Sequence, residues 1–276
     1  AGDPEAFRFA HGRPARMRAQ MAAVGNTGPG PLRILGPREG PATGTYRIPV
    51  ITGLFADSPE GADLAHSITE VQAAYFGANP GTITDFYSEI SGGRITLEGD
   101  VQDWTKASFT RAQATGGNSG LSSGTTGAFI LQLVIRLKDV DWGLYDNDGP
   151  DGMPNSGDDD GFVDALAVIH PTAGAECGGL DKDDRIWSHR WSLRFAAGQA
   201  FATTVPAASG GFITIDDYLI QPLFACNEVD LSEIGVFSHE LGHAFGLPDL
   251  YDTNGSIDGK HAGAGNWDLM SSGSWG

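Results

Sequence analysis

His239, Glu240 and His243 stand in the run Ser238 to Asp249 as HExxH, followed by Gly246 and Asp249. These residue types serve one chemistry together: two imidazoles and a carboxylate can hold a zinc ion, and a second carboxylate beside it can move a proton. A helix advances about 100° per residue, so His239 and His243 fall within about 40° of each other and both rings can reach one ion. Asp249, beyond the turn at Gly246, is the expected third ligand by its offset from His243. Three protein ligands leave a fourth position open, where water has its pKa lowered toward ~7 and a peptide carbonyl can be polarised. Glu240 is then the expected general base and acid, taking the water proton and passing it to the leaving amine. With an Asp ligand the site carries a formal charge of about +1, against about +2 for three imidazoles, so more of the activation falls to Glu240.

A helix must present those side chains. Ile234, Phe237, Leu241, Ala244 and Phe245 cluster on the side of the wheel opposite the histidines, giving the helix an apolar back to bury. Asp230 with Glu233 three residues on is a capping-box pattern for its start, and Gly246 is the expected stop.

The run HExxHxxGxxD, followed by Asn266, Trp267, Asp268, Leu269, Met270, Ser271, Ser272 and Gly273, resembles the active-site helix and Met-turn of metzincins. It is most similar to the immune inhibitor A family of secreted bacterial metallopeptidases. The resemblance spans roughly Ile48 to Gly276 and is strongest at the C-terminal end. It implies zinc on His239, His243 and Asp249, Glu240 as base and acid, and Met270 in a turn beneath the metal. Asp85 to Glu89, Tyr145 to Asp164 and Ile186 to Trp191 also look like that family. A helix normally follows the Met-turn in metzincins, so the sequence is expected to be truncated there.

A second group of carboxylates runs Asp146, Asn147, Asp148, Gly149, Pro150, Asp151, then Asp158, Asp159, Asp160, Gly161, Phe162, Val163, Asp164. Carboxylates alternating around a glycine turn resemble an interrupted calcium loop, since so many acids repel one another unless a cation neutralises them. The expected ligands are Asp146, Asp148, Asp160 and Asp164, with Asp158 as a substitute. Cys177 and Cys226 are the only cysteines and are read as one disulfide. His189, between Trp187 and Trp191, and Tyr251, close after Asp249, are assigned structural and packing roles.

The rest of the chain must build the scaffold. Its 276 residues, 40% of them hydrophobic, can bury a full core, and a net charge of -18 without a basic run excludes nucleic acid as an expected partner. No stretch approaches the ~20 apolar residues of a membrane span. Residues 1–46 read as a linker or as the tail of an autoinhibitory propeptide, a basic arm before an acidic body. From 47 to 276 the pattern is that of a catalytic domain. Ile48 to Phe55 reads as a buried strand, Leu64 to Phe76 and Thr82 to Ser91 as helices, and Arg94 to Gly99 as a strand. Thr115 to Gly127 is a loop, and Ala128 to Val140 a buried helix expected to pack behind the active-site helix. Val163 to His170 and Phe212 to Leu219 read as further strands.

Together these imply an α+β, metzincin-like zinc protease domain: a mixed twisted sheet with a backing helix and an active-site helix, and a cleft between upper and lower lobes. The expected function is a secreted zinc endopeptidase acting on proteins or peptides, stabilised by calcium. The rivals are a calcium-stabilised adhesion or binding module with a vestigial zinc site, and a different HExxH peptidase.

Overall fold

The computed structural model describes residue 35 and residues 42–61, 64, 66–251 and 263–275. The expected arm 1–46 therefore lies largely outside the described residues. What is described of it belongs to the body: Leu35 is buried in the core, and strand β1 (Gly44–Leu54) begins three residues before the expected domain start.

A mixed sheet organises the molecule. It runs in the order β2 (Ile95–Val101), β1, β4 (Leu166–Ala173), β8 (Asp217–Phe224), β5 (His189–Ser192), with the short β3 (Thr105–Lys106) continuing alongside β1. The pairings from β2 to β8 are parallel, and β5 closes the edge antiparallel. The central strands are apolar on both faces, which demands a covering layer on each. On one face lie α1 (Ile68–Phe76), α2 (Ile83–Ile90) and the HExxH helix, α6 (Ile234–Ala244), around Ile48, Val50, Ala167, Ile169 and Leu219. On the other lies α4 (Thr126–Arg136), around Ile51, Leu166, Val168 and Ile220. Two short helices, α3 (Arg111–Thr115) and α5 (Leu193–Ala196), lead into α4 and out of β5.

Three expectations are corrected. The buried helix expected to back the active-site helix does form, but on the opposite face of the sheet. Its Phe129, Ile130, Leu133 and Val134 fill the second core, and the close approach of Leu133 and Phe129 to β1 is possible because position 53 is a glycine. The strand expected from Phe212 to Leu219 is broken at Asp216. Its first half, β7 (Phe212–Ile215), pairs with β6 (Phe201–Pro206) in a separate hairpin, and its second half opens β8. Asp216 accepts a hydrogen bond from the Arg194 amide, a side-chain partner that an uninterrupted strand pattern does not reveal. Finally, Asp230 does not cap α6. Its carboxylate takes the Asn227 amide within the preceding turn, and Glu233 occupies the N-cap position without a side-chain cap bond.

Helices α1 and α2 start where their caps dictate. Ser67 and Glu70 form a capping box, and Thr82 accepts the Asp85 amide.

Candidate metal centre and catalytic glutamate

Phe237, Leu241 and Ala244 form the expected apolar back of α6 and are fully buried, with Ile234 and Phe245 packed at its margin. Tyr75 meets Phe237 edge-on at 5.5 Å between ring centres, and the buried Tyr87 hydroxyl donates to the Ser238 carbonyl at 2.6 Å. The first two helices thus fix the third against the sheet.

The end of α6 is closed as Gly246 leads one to expect. Gly246 has φ +82°, its amide donates to the His243 carbonyl and the Leu247 amide to the Gly242 carbonyl, the paired bonds of a Schellman motif. The Leu35 amide donates to the next carbonyl, that of Ala244, at 2.6 Å. The chain then doubles back so that Asp249, its side chain 2% exposed, faces both histidines. Asp249 Oδ1 lies 3.4 Å from His239 Nε2 and 3.2 Å from His243 Nε2.

The other nitrogen of each ring meets a backbone carbonyl: His239 Nδ1 that of Leu269, and His243 Nδ1 that of Leu247, both at 2.8 Å. A carbonyl can only accept, so each Nδ1 carries a proton, and once neutral each ring would turn its Nε2 lone pair to the space shared with Asp249. Ligand atoms on a tetrahedron with arms of 2.0–2.1 Å sit about 3.3 Å apart, so the donor set fits zinc in both chemistry and spacing. Burial opposes charge on His239, yet the Asp249 hydrogen bond and the Glu240 carboxylate outweigh it and raise the ring to about 9. Glu240 is buried next to this group. Desolvation lifts its carboxyl above the usual range, while His239, His243 and Arg190 pull it back.

The turn expected at Met270 lies beneath the helix. Its Leu269 carbonyl orients His239, its Met270 carbonyl accepts the Leu250 amide at 2.7 Å next to Asp249, and the Met270 sulfur abuts Gly242. A methyl on Gly242 would stand 2.5 Å from that sulfur, so the glycine inside HExxH is what lets the turn approach. Tyr251 is half-buried.

Of the second carboxylate group, the structure gathers Asp146, Asp148 and Asp164, one oxygen of each within 4.8 Å of the others. Asp146 and Asp164 are buried. Asp146 Oδ2 accepts the Gly161 amide, while its Oδ1 has no hydrogen-bond partner among the described residues. Burial first, then repulsion from Asp159, Asp160 and Asp148, pushes Asp146 up to about 7. Asp160 and Asp158 stand outside this trio. Asp160 receives the Phe162 amide, and the exposed Asp158 receives that of Asp151. Asp159, absent from the expected ligand set, is buried and orders the loop by accepting the Gly149 and Ser156 amides.

Cys177 and Cys226 form a disulfide. It tethers the turn that carries Glu176, a buried carboxyl bonded by the amide and hydroxyl of Ser188 and raised by burial to about 7. His189 is internal, between the Trp187 carbonyl and the Tyr218 hydroxyl, and burial lowers it to about 4. Sequence reasoning missed Glu176, Arg190, Gly242 and Leu35. For the first two the only signal was proximity to Cys177 and the Trp-Ser-His-Arg-Trp segment.

Comparison with known proteins places this geometry. Residues 69–276 match the family described as immune inhibitor A peptidase M6, catalytic domain. The chain belongs to that family. It is 34% identical over 215 residues to immune inhibitor A of Bacillus thuringiensis subsp. alesti, covering 72% of this chain and 29% of that protein. It is 30% identical over 208 residues to the pre-pro-metalloprotease PrtV of Vibrio cholerae serotype O1, covering 72% of this chain and 22% of the relative. The chain thus spans less than a third of the length of these M6 relatives. Among its described residues no helix is long and apolar enough to cross a membrane.

Proposed function

We propose that this chain is the catalytic domain of a zinc endopeptidase that is exported from the cell and cleaves proteins or peptides. The observation that carries the reading is the convergence of two imidazole Nε2 atoms on one buried carboxylate oxygen, with both Nδ1 atoms already committed to carbonyls. His239, His243 and Asp249 would hold the metal. Bound there, zinc supplies a Lewis acid that polarises the scissile carbonyl and acidifies a water. Glu240, held beside the ligands by its place in the helix, accepts the water proton on its carboxylate and delivers it to the leaving nitrogen. The fold is read as metzincin-like, with the segment around Met270 as its Met-turn and a cleft between a sheet-bearing upper lobe and a lower lobe after Gly246.

We further propose that Asp146, Asp148 and Asp164 hold a calcium ion as a structural element. Two buried acids, one with an oxygen lacking a hydrogen bond, are costly unless a cation neutralises them. The test of the catalytic reading is metal analysis of the purified chain joined to digestion of casein. About one zinc per chain is expected, with hydrolysis lost to a zinc chelator and restored by added zinc. Hydrolysis that persists in a zinc-free chain contradicts it.

A further inference from the structure

The edge strand β5 sends one charged side chain into the protein. Arg190 lies opposite Leu219 in the antiparallel pairing with β8, its side chain is 5% exposed, and it reaches two groups on different elements. Its Nη2 donates to Asp217 Oδ2 on β8 at 3.1 Å, and its Nη1 donates to the carbonyl of His243 on α6 at 2.6 Å. Asp217 is itself buried, its side chain 3% exposed.

A guanidinium is costly to bury, and here two features offset the cost: a carboxylate partner and the negative end of a helix dipole. A surface position would avoid the cost altogether. The burial therefore calls for a role that an exposed guanidinium, such as that of Arg194 paired with Asp216, does not have. The atom Arg190 grips is informative. The His243 carbonyl belongs to a residue whose ring faces Asp249, and that ring is fixed at its other nitrogen by Leu247, four residues along the same turn. Movement of the His243 backbone would carry its Nε2 away from Asp249 Oδ1, now 3.2 Å distant.

We propose that Arg190, locked by Asp217, is a positioning residue that fixes the backbone of His243 to the sheet and so sets the geometry of the zinc site. The inference rests on the zinc reading above. It needs the fork of the guanidinium, whose two terminal nitrogens serve two partners, and not only its charge, since an ammonium on a flexible stem cannot hold both.

The experiment follows zinc release from the zinc-loaded chain into an excess of a chromogenic chelator, at a temperature well below melting. It is run for the unaltered chain and for Arg190→Lys, Arg190→Gln, Asp217→Asn and, as a control, Arg194→Gln. The visible spectrum of the cobalt-substituted chain and kcat on a peptide are read in parallel. Arg190→Lys and Arg190→Gln are expected to release zinc about 10- to 100-fold faster, to alter the cobalt spectrum and to lower kcat more than they raise KM. Arg194→Gln is expected to match the unaltered chain. A Lys variant that behaves like the unaltered chain shows that charge alone suffices and overturns the proposal. Should the Arg190 variants fail to fold, Asp217→Asn decides: it frees the guanidinium without deleting it, and zinc release within twofold of the unaltered chain overturns the proposal. An unaltered chain that binds no zinc defeats the zinc reading instead, a different result from a zinc enzyme indifferent to Arg190.

Discussion

At His239 and His243 the second ring nitrogen decides what the first can do. The spacing of the two histidines and of Asp249 was legible in the sequence, because a helix period and a glycine stop are local rules. The carbonyls of Leu269 and Leu247 that set both tautomers were not, since every residue carries a carbonyl and no residue type announces its use. Glu176 is the same lesson in a buried acid. Its folded carboxyl is raised from an ordinary 4.5 to about 7, with burial the leading cause. Below the lower value both folded and unfolded chains are protonated. Between the two the unfolded chain loses its proton first, so stability falls as pH rises through this window and is level above it. Glu176→Gln cannot titrate, so its stability relative to the unaltered chain should rise between pH 4.5 and 7, by about 3 kcal/mol at most. Urea melts at a series of pH values check this, and a difference flat across the window contradicts it.

At the scale of elements, the HExxH helix α6 is positioned by neighbours the sequence names only in part. Its apolar back was readable from periodicity, but the pattern from Leu64 runs past the true start of α1, which the Ser67 capping box sets at Ile68. The placement of α4 was not, because an apolar helix fits either face of a sheet whose strands are apolar on both. Nor was the contact between Gly242 and Met270, which joins positions far apart in sequence. Alanine is ordinarily the better helix former by about 1 kcal/mol. Gly242→Ala should nonetheless destabilise the domain, because overpacking a buried contact costs about 1 to 3 kcal/mol and here displaces the turn that holds Leu269 against His239. Thermal melts should show a lower midpoint and zinc should be lost faster. A raised midpoint contradicts the packing described.

At the scale of the whole molecule, a disulfide and a proposed cation site stand beside a sheet whose candidate site lies toward one edge. The disulfide joins cysteines 49 positions apart, tying the Glu176 turn to the segment entering α6. The trio Asp146, Asp148 and Asp164 gathers just ahead of β4, where a bound cation would tie the chain. That acids of this run come together was legible in the sequence, but which carboxylates converge was not, because the insertion between its halves breaks the regular spacing. With zinc kept saturated, a calcium-selective chelator should lower the melting midpoint by about 5 to 10 °C, the effect of a folded-state ligand present at about 100 times its Kd. An indifferent midpoint reduces the trio to a set of protonated and solvated acids. In the proposed mechanism Glu240 moves the proton while His239, His243 and Asp249 hold the metal. Glu240→Gln tests it most directly, because it removes the proton acceptor and none of the proposed ligands. With zinc content and peptide hydrolysis measured on the same preparation, the variant should retain about one zinc per chain and lose hydrolysis by at least ~100-fold. Near-normal hydrolysis by a zinc-replete Glu240→Gln chain contradicts the mechanism.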